Sequence, residues 1–190
     1  MKRYLALAFC AALVYTNTSL AGNINYNYFE VGYVETEWDF TGIDVDGDGY
    51  EFNASVELSE TLAVVVGYQE LEFDAGVDAN LKQLGFAYHK PYSTTGDMVV
   101  GYSYLEIELE PRRGSSVDDS GNEFSLEIRS KSSPETEVSF ALRRVEVGDD
   151  AESGFSFGIV SGAPQGFQFV LDYTDLDNVG SIMLGLRSAF

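Results

Sequence analysis

The chain has 190 residues, with 31 aspartates and glutamates against 11 lysines and arginines, a net charge of −20 and a pI near 4.1. So anionic a surface repels nucleic acid and excludes it as a partner. The same acidity would suit a disordered chain, but 14% aromatic residues, 19 glycines and only four prolines exclude disorder and point to ordered, aromatic-rich strands.

Lys2 and Arg3 precede an apolar run from Tyr4 to Val14, and Ser19-Leu20-Ala21 supplies small residues at the two positions that define a cleavage site. This is the pattern of an export signal over residues 1–21, with a mature domain over 22–190 that starts near Gly22. Removing the signal takes away two cations and no acid, so the mature chain is still more anionic. The apolar run is too short for a spanning helix, and no later stretch reaches the roughly 20 apolar residues one needs. A membrane-embedded chain must then use strands. Cys10, the one cysteine, lies inside the signal, so the mature chain has no disulfide or thiolate metal site. The bulky Phe9 before it speaks against lipidation.

Alternation predicts strands over 26–38, 49–59, 62–73, 81–91, 98–110, 122–130, 136–147, 154–161, 167–175 and 179–190. Val31-Gly32-Tyr33, Val66-Gly67-Tyr68 and Val100-Gly101-Tyr102 recur at spacings of 35 and 34 residues, the length of one hairpin unit. Ten is an even number, as a closed single-chain barrel requires. The short connection around Leu176 to Val179 keeps an eight-stranded barrel as the alternative. Connections at 60–61, 93–97, 132–134 and 162–166 are short, whereas 39–48, 74–80, 111–121 and 148–153 read as longer, acidic loops. That asymmetry assigns the short turns to the periplasm and the long loops to the exterior.

Each predicted strand carries two faces. Tyr50, Phe52, Ala54, Val56 and Leu58 alternate with Glu51, Asn53, Ser55 and Glu57, and Phe124, Leu126 and Ile128 alternate with Ser125, Glu127 and Arg129. The apolar set faces lipid and the polar set a lumen, so the strands must close on one another and leave no edge. A soluble β-sandwich would also alternate, but it has no need of aromatics at matching heights. On the upward strands the outer parity passes from apolar through tyrosine to acid. Tyr33, Tyr68, Tyr102 and Tyr173 form the expected aromatic girdle, and Glu35, Glu37, Glu70, Glu72, Glu106 and Glu108 lie beyond it. The expected fold is thus an all-β, closed, antiparallel, up-and-down transmembrane β-barrel.

On these residues the chain resembles the small outer-membrane β-barrel proteins of Gram-negative bacteria, a family of short exported barrels with acidic loops and mostly unassigned roles. The resemblance implies location in the outer membrane after signal cleavage, outer-membrane lipids and lipopolysaccharide as partners, and a monomer. It also implies recognition by the barrel-assembly machinery through Gly185 and Phe190, although Ser188 departs from the apolar residue expected there.

Several constellations bear on function. The lumen is expected to hold Glu30, Glu51, Glu57, Gln69, Gln83, Glu127, Arg129, Arg143, Asp172 and Arg187 as a polar network whose ions pair, leaving no open diffusion pore. Asp44-Val45-Asp46-Gly47-Asp48-Gly49 matches the first half of a calcium loop, but Ser55 stands where the bidentate glutamate should be. Two readings stand for it: an acidic hairpin turn, and a weak Ca²⁺ or Mg²⁺ site with Asp44, Asp46 and Asp48 as ligands. No other cofactor is expected. His89, the one histidine, falls in the lumen near the periplasmic end beside no nucleophile motif, so no catalytic set is expected; it reads as hydrogen-bonded to a carboxylate. Above the girdle the inward parity turns apolar (Val34, Trp38, Leu71, Phe73, Leu105, Ile107, Leu109, Val145, Val147), which suits either a core that plugs the upper barrel or a pocket for an apolar ligand. The expected role is a non-enzymatic, structural or surface-interacting barrel, and two readings stand for its acidic outer residues: a solvated collar that keeps the loops soluble, and a rim that binds divalent cations. A narrow cation-preferring channel and a barrel that binds or transports a hydrophobic ligand are the alternatives.

Overall fold

A computed structural model describes residues 24–40, 43–112 and 114–190; the expected signal, with Cys10 and the cleavage site, lies outside them. Ten strands follow in order: β1 (Tyr28–Phe40), β2 (Ile43–Ser59), β3 (Leu62–Phe73), β4 (Val77–Pro91), β5 (Gly96–Pro111), β6 (Val117–Ser133), β7 (Thr136–Val147), β8 (Asp150–Gly162), β9 (Gly166–Leu176) and β10 (Val179–Ala189). Each pairs antiparallel with its neighbours in sequence, and β1 pairs with β10 to close the barrel. The ten-stranded reading holds and the eight-stranded one falls.

The seam between β1 and β10 runs in unbroken register from Tyr28 opposite Ala189 to Trp38 opposite Val179. At its middle Gly32 faces Gly185, and the Met183 side chain lies across both. A Cβ on Gly32 would stand 2.0 Å from the Met183 sulfur, and one on Gly185 would stand 2.6 Å from the Val31 carbonyl oxygen. Both positions therefore need glycine for close packing. At the lower end Phe190 stacks on Phe29 with centroids 5.2 Å apart, and its amide donates to the Asn27 carbonyl.

The structure corrects the expected loops. The segments read as long and acidic are mostly strand: 43–48 belongs to β2, 77–80 to β4, 117–121 to β6 and 150–153 to β8. The upper connections are as short as the lower ones, so turn length does not distinguish the two ends. The physical reason is that strand alternation continues above the tyrosines. Asp44, Asp46 and Asp48 point outward while Val45 and Gly47 turn inward, and only the outward residue type changes from apolar to acidic. Composition alone reads such a stretch as loop.

Outside, the middle of the barrel is an unbroken apolar belt. Phe29, Phe52, Val66, Leu84, Phe86, Val100, Leu126, Leu142, Phe169 and Leu184 are all exposed. Soluble monomers do not present a continuous apolar band of this kind to water, so the belt calls for lipid around it. No helix among the described residues is long and apolar enough to cross a membrane. The belt gives a direct prediction. Phe86→Arg, at mid-height on β4, should destabilise the bilayer-embedded barrel by about 2–4 kcal/mol, while Glu70→Arg above the tyrosines should cost about 0–1 kcal/mol. Urea titration of both variants in lipid vesicles checks this.

Candidate functional site

The inward side chains form three tiers. The lowest is a seal made by the segment before β1, whose Ile24 and Tyr26 turn into the lumen and pack with Ala63, Val99 and Ala87. The Tyr26 ring stacks on His89 at 3.8 Å between centroids, and the Arg129 guanidinium lies over it at 4.7 Å. Its hydroxyl donates to Asp97 at 2.9 Å. Burial pushes the Tyr26 phenol well above its ordinary range, so it stays a neutral donor.

The middle tier is charged. Arg187 donates to Glu30 at 2.8 Å, and Arg129 donates to Glu137 at 2.7 Å. Arg143 grips Glu123 with two parallel bonds of 3.0 and 2.7 Å and also donates to the Thr174 hydroxyl. Forked guanidinium–carboxylate pairs of this kind are strong and directional. Glu51 accepts from Asn53 at 2.6 Å and from Gln69 at 3.4 Å, Asp172 accepts from Thr174, and Gln83 donates to Ser103. Arg129 and Arg187 both act electrostatically on Glu127.

Of the ten residues expected in the lumen network, nine fall in or beside this tier. Glu57 does not: it sits at the lower end, where its carboxylate is 3.6 Å from the His89 Nε2. His89 also departs from expectation, because its main contact is the Tyr26 ring and its Nε2 makes no hydrogen bond. Glu123 and Glu137, the partners of two arginines, were missed. Inward parity on β6 and β7 could have found both, since Glu123 shares the parity of Glu127 and Glu137 that of Arg143. Tyr26 precedes β1 instead of opening it; it shares the inward parity of Glu30, but nothing in the alternation signals that its ring seals the lumen against His89.

The uppermost tier is a cavity of about 620 Å³. Trp38, Leu71, Leu105, Ile107, Leu109, Val145, Val147 and Met183 are among its apolar walls, and Glu51, Gln69, Arg143 and Asp172 are among the groups of its floor. The lining reaches the upper turns at Asp150 and Asn178. The upper apolar residues thus divide: Val34, Leu71, Phe73 and Met183 join a packed cluster with Trp38 against one wall, and the rest of the upper lumen is open space. A volume of this size falls within the roughly 300–1,000 Å³ of small-molecule sites.

On the outer face the four expected girdle tyrosines share one geometry. Tyr33 donates to Asp48 at 2.9 Å, Tyr68 to Asn80 at 3.0 Å, Tyr102 to Asn122 at 2.7 Å and Tyr173 to Asp175 at 3.2 Å. Each ring joins the apolar belt while its hydroxyl meets a polar group above. Higher still, Glu35 faces Asp48, Glu37 faces Asp46 and Asp39 faces Asp44 across β1 and β2. The segment expected as a turn or calcium loop is strand instead. Asp44, Asp46 and Asp48 are alternate residues of β2, spaced about 7 Å apart along its outer side. Among the described residues no group of three His, Cys, Asp or Glu side chains is placed to hold a metal.

Fold and site together define a small closed up-and-down barrel with an apolar outer belt, a paired-ion interior and a cavity above it. No protein-family model and no curated protein matches the chain. Solved structures do. A KdgM porin, solved in complex with disordered oligogalacturonate, aligns at 9% identity and a TM-score of 0.49 over 85% of this chain and 99% of its own. The N-terminal β-barrel domain of Pseudomonas aeruginosa OprF aligns at 11% identity and 0.48 over 86% and 98%. Neisserial surface protein A aligns at 13% identity and 0.46 over 86% and 96%.

The charged tier yields a sharp expectation. Glu30 is only 7% exposed, and Arg187→Ala leaves it buried without its cation, so the variant should lose about 3–5 kcal/mol of stability. The paired apolar replacement Glu30→Leu with Arg187→Met should recover most of that loss in the same denaturation assay.

Proposed function

We propose that this chain is a non-enzymatic outer-membrane β-barrel that binds a small amphiphilic molecule in the outward half of its lumen and does not conduct. The observation that carries this reading is the 620 Å³ cavity above a floor closed by ion pairs and by Tyr26. The apolar belt and the expected export signal support the outer-membrane location. The cavity favours ligand binding over a solid plug, and the seal around Tyr26 speaks against a channel.

A second role has its own support on the outer wall. The carboxylates facing one another across β1 and β2 repel at close range, so divalent cations between them and lipopolysaccharide phosphates would suit a surface role. That role is compatible with ligand binding inside.

Trp38, the one tryptophan of the chain, lines the cavity and reports on its contents. In lipid nanodiscs a brominated long-chain alcohol should quench Trp38 saturably. Ile107→Phe combined with Val145→Phe and Val147→Phe, which sets three phenyl rings across the cavity, should weaken the saturable part by about tenfold or more, the loss of one or two buried methylenes. Quenching that never saturates, or that the triple variant leaves unchanged, would refute the pocket. Planar-bilayer recordings of the folded chain should show no discrete conductance steps, and regular cation-selective steps would instead support the channel.

A further inference from the structure

From the charge pattern of the cavity we infer the chemical class of its occupant: a cationic amphiphile, with a positively charged nitrogen on the floor between Glu51 and Asp172 and an apolar chain along the wall above. This inference rests on the pocket reading just given. All three lumen arginines are already engaged, Arg187 by Glu30, Arg129 by Glu137 and Arg143 by Glu123. Among the described residues neither Glu51 nor Asp172 has an arginine or lysine nitrogen within ion-pair distance. Their hydrogen-bond partners are the neutral Asn53, Gln69 and Thr174, and the one cation that acts on both from nearby, Arg143, is already bonded to Glu123.

The carboxyl groups of Glu51, Glu123 and Asp172 line the cavity with the single guanidinium of Arg143, so its floor holds two more acids than cations. Carboxylates taken from water are costly, so such acids either keep a proton or meet a cation, and a bound cation would hold them ionised. An anionic head would meet that excess at short range, and a neutral one would leave it uncompensated. A cation supplies what the chain does not. The mouth agrees in sign, because Asp119, Asp150 and Glu152 also line the cavity and, among the described residues, no lysine and no arginine besides Arg143 does. A cation approaching from above therefore passes through an attractive field. The apolar walls of Leu105, Ile107, Leu109, Val145 and Val147 then select against small inorganic ions and favour a head that carries a chain.

Three brominated probes of equal chain length separate the possibilities: an alkylammonium, the matching alcohol and the matching alkyl sulfate, each titrated against Trp38 fluorescence in neutral-lipid nanodiscs. The triple variant with phenylalanine at Ile107, Val145 and Val147, titrated alongside, subtracts quenching from lipid-dissolved probe and from attraction to the acidic outer wall. The alkylammonium should saturate at a concentration about tenfold or more below the alcohol, as expected for a charge-assisted contact, and the sulfate should show no saturable component. Glu51→Gln with Asp172→Asn should bring the ammonium to the level of the alcohol and leave the alcohol unchanged, with heat-modifiable gel migration confirming the folded barrel. Equal saturation by ammonium and alcohol in the unmodified protein would overturn the charge inference while leaving the pocket standing. Absence of saturable quenching by all three would overturn the pocket itself.

Discussion

Everything in this molecule depends on the closing of β1 onto β10. In hydrocarbon there is no water to satisfy a free strand edge, so the backbone groups must all find partners within the chain. The seam meets that demand over eleven residue pairs in continuous register. It does so at a tight point, where Gly32 and Gly185 leave room for Met183. Once the cylinder is closed, strand alternation gives each residue one of two environments, and the chemistry of both faces follows.

The outer face is set by its surroundings at each height: apolar at mid-barrel, tyrosine hydroxyls donating to Asp or Asn above it, and carboxylates beyond. The inner face has a different problem. A ten-stranded lumen is too wide for backbone alone and must be filled with side chains or left open. Here the lower end is filled by Ile24 and Tyr26, the middle by ion pairs, and the upper part is left partly empty. The arginines hold the middle rigid, because each forms short, directed bonds to a glutamate and breaking one strands a buried charge. The cavity above is walled by the closed sheet itself.

Much of the fold was legible in the sequence, because a period of two is a strong signal when the outer environment switches sharply with height. The strand count, the antiparallel order and the faces of Phe29, Phe52 and Phe124 all follow from it. Strand ends in the acidic segments did not, since Asp44 to Asp48 look like a loop by composition and only the inward Val45 and Gly47 betray a strand. The lumen residues were legible as a set but not as pairs. Arg143 could meet several carboxylates by parity alone; the register across β6 and β7 sets it opposite Ser125, between Glu123 and Glu127, and only its side-chain geometry brings it to Glu123. The inward side of Tyr26 follows the parity of Glu30, but its role as a seal has no periodic signature, because it depends on the stacking surface that His89 offers.

Single cysteines test the account at its centre, since the chain's one cysteine, Cys10, falls in the expected export signal. Gln69→Cys lies on the cavity floor and Val99→Cys lies in the lower seal. With barrels inserted in vesicles, upper end outward, a membrane-impermeant maleimide added outside should label the cysteine at position 69 and leave that at position 99 unmodified. Equal labelling of both would mean a continuous water path and a channel, and protection of both would mean an upper barrel packed shut. Either result would contradict a cup that is open above and sealed below.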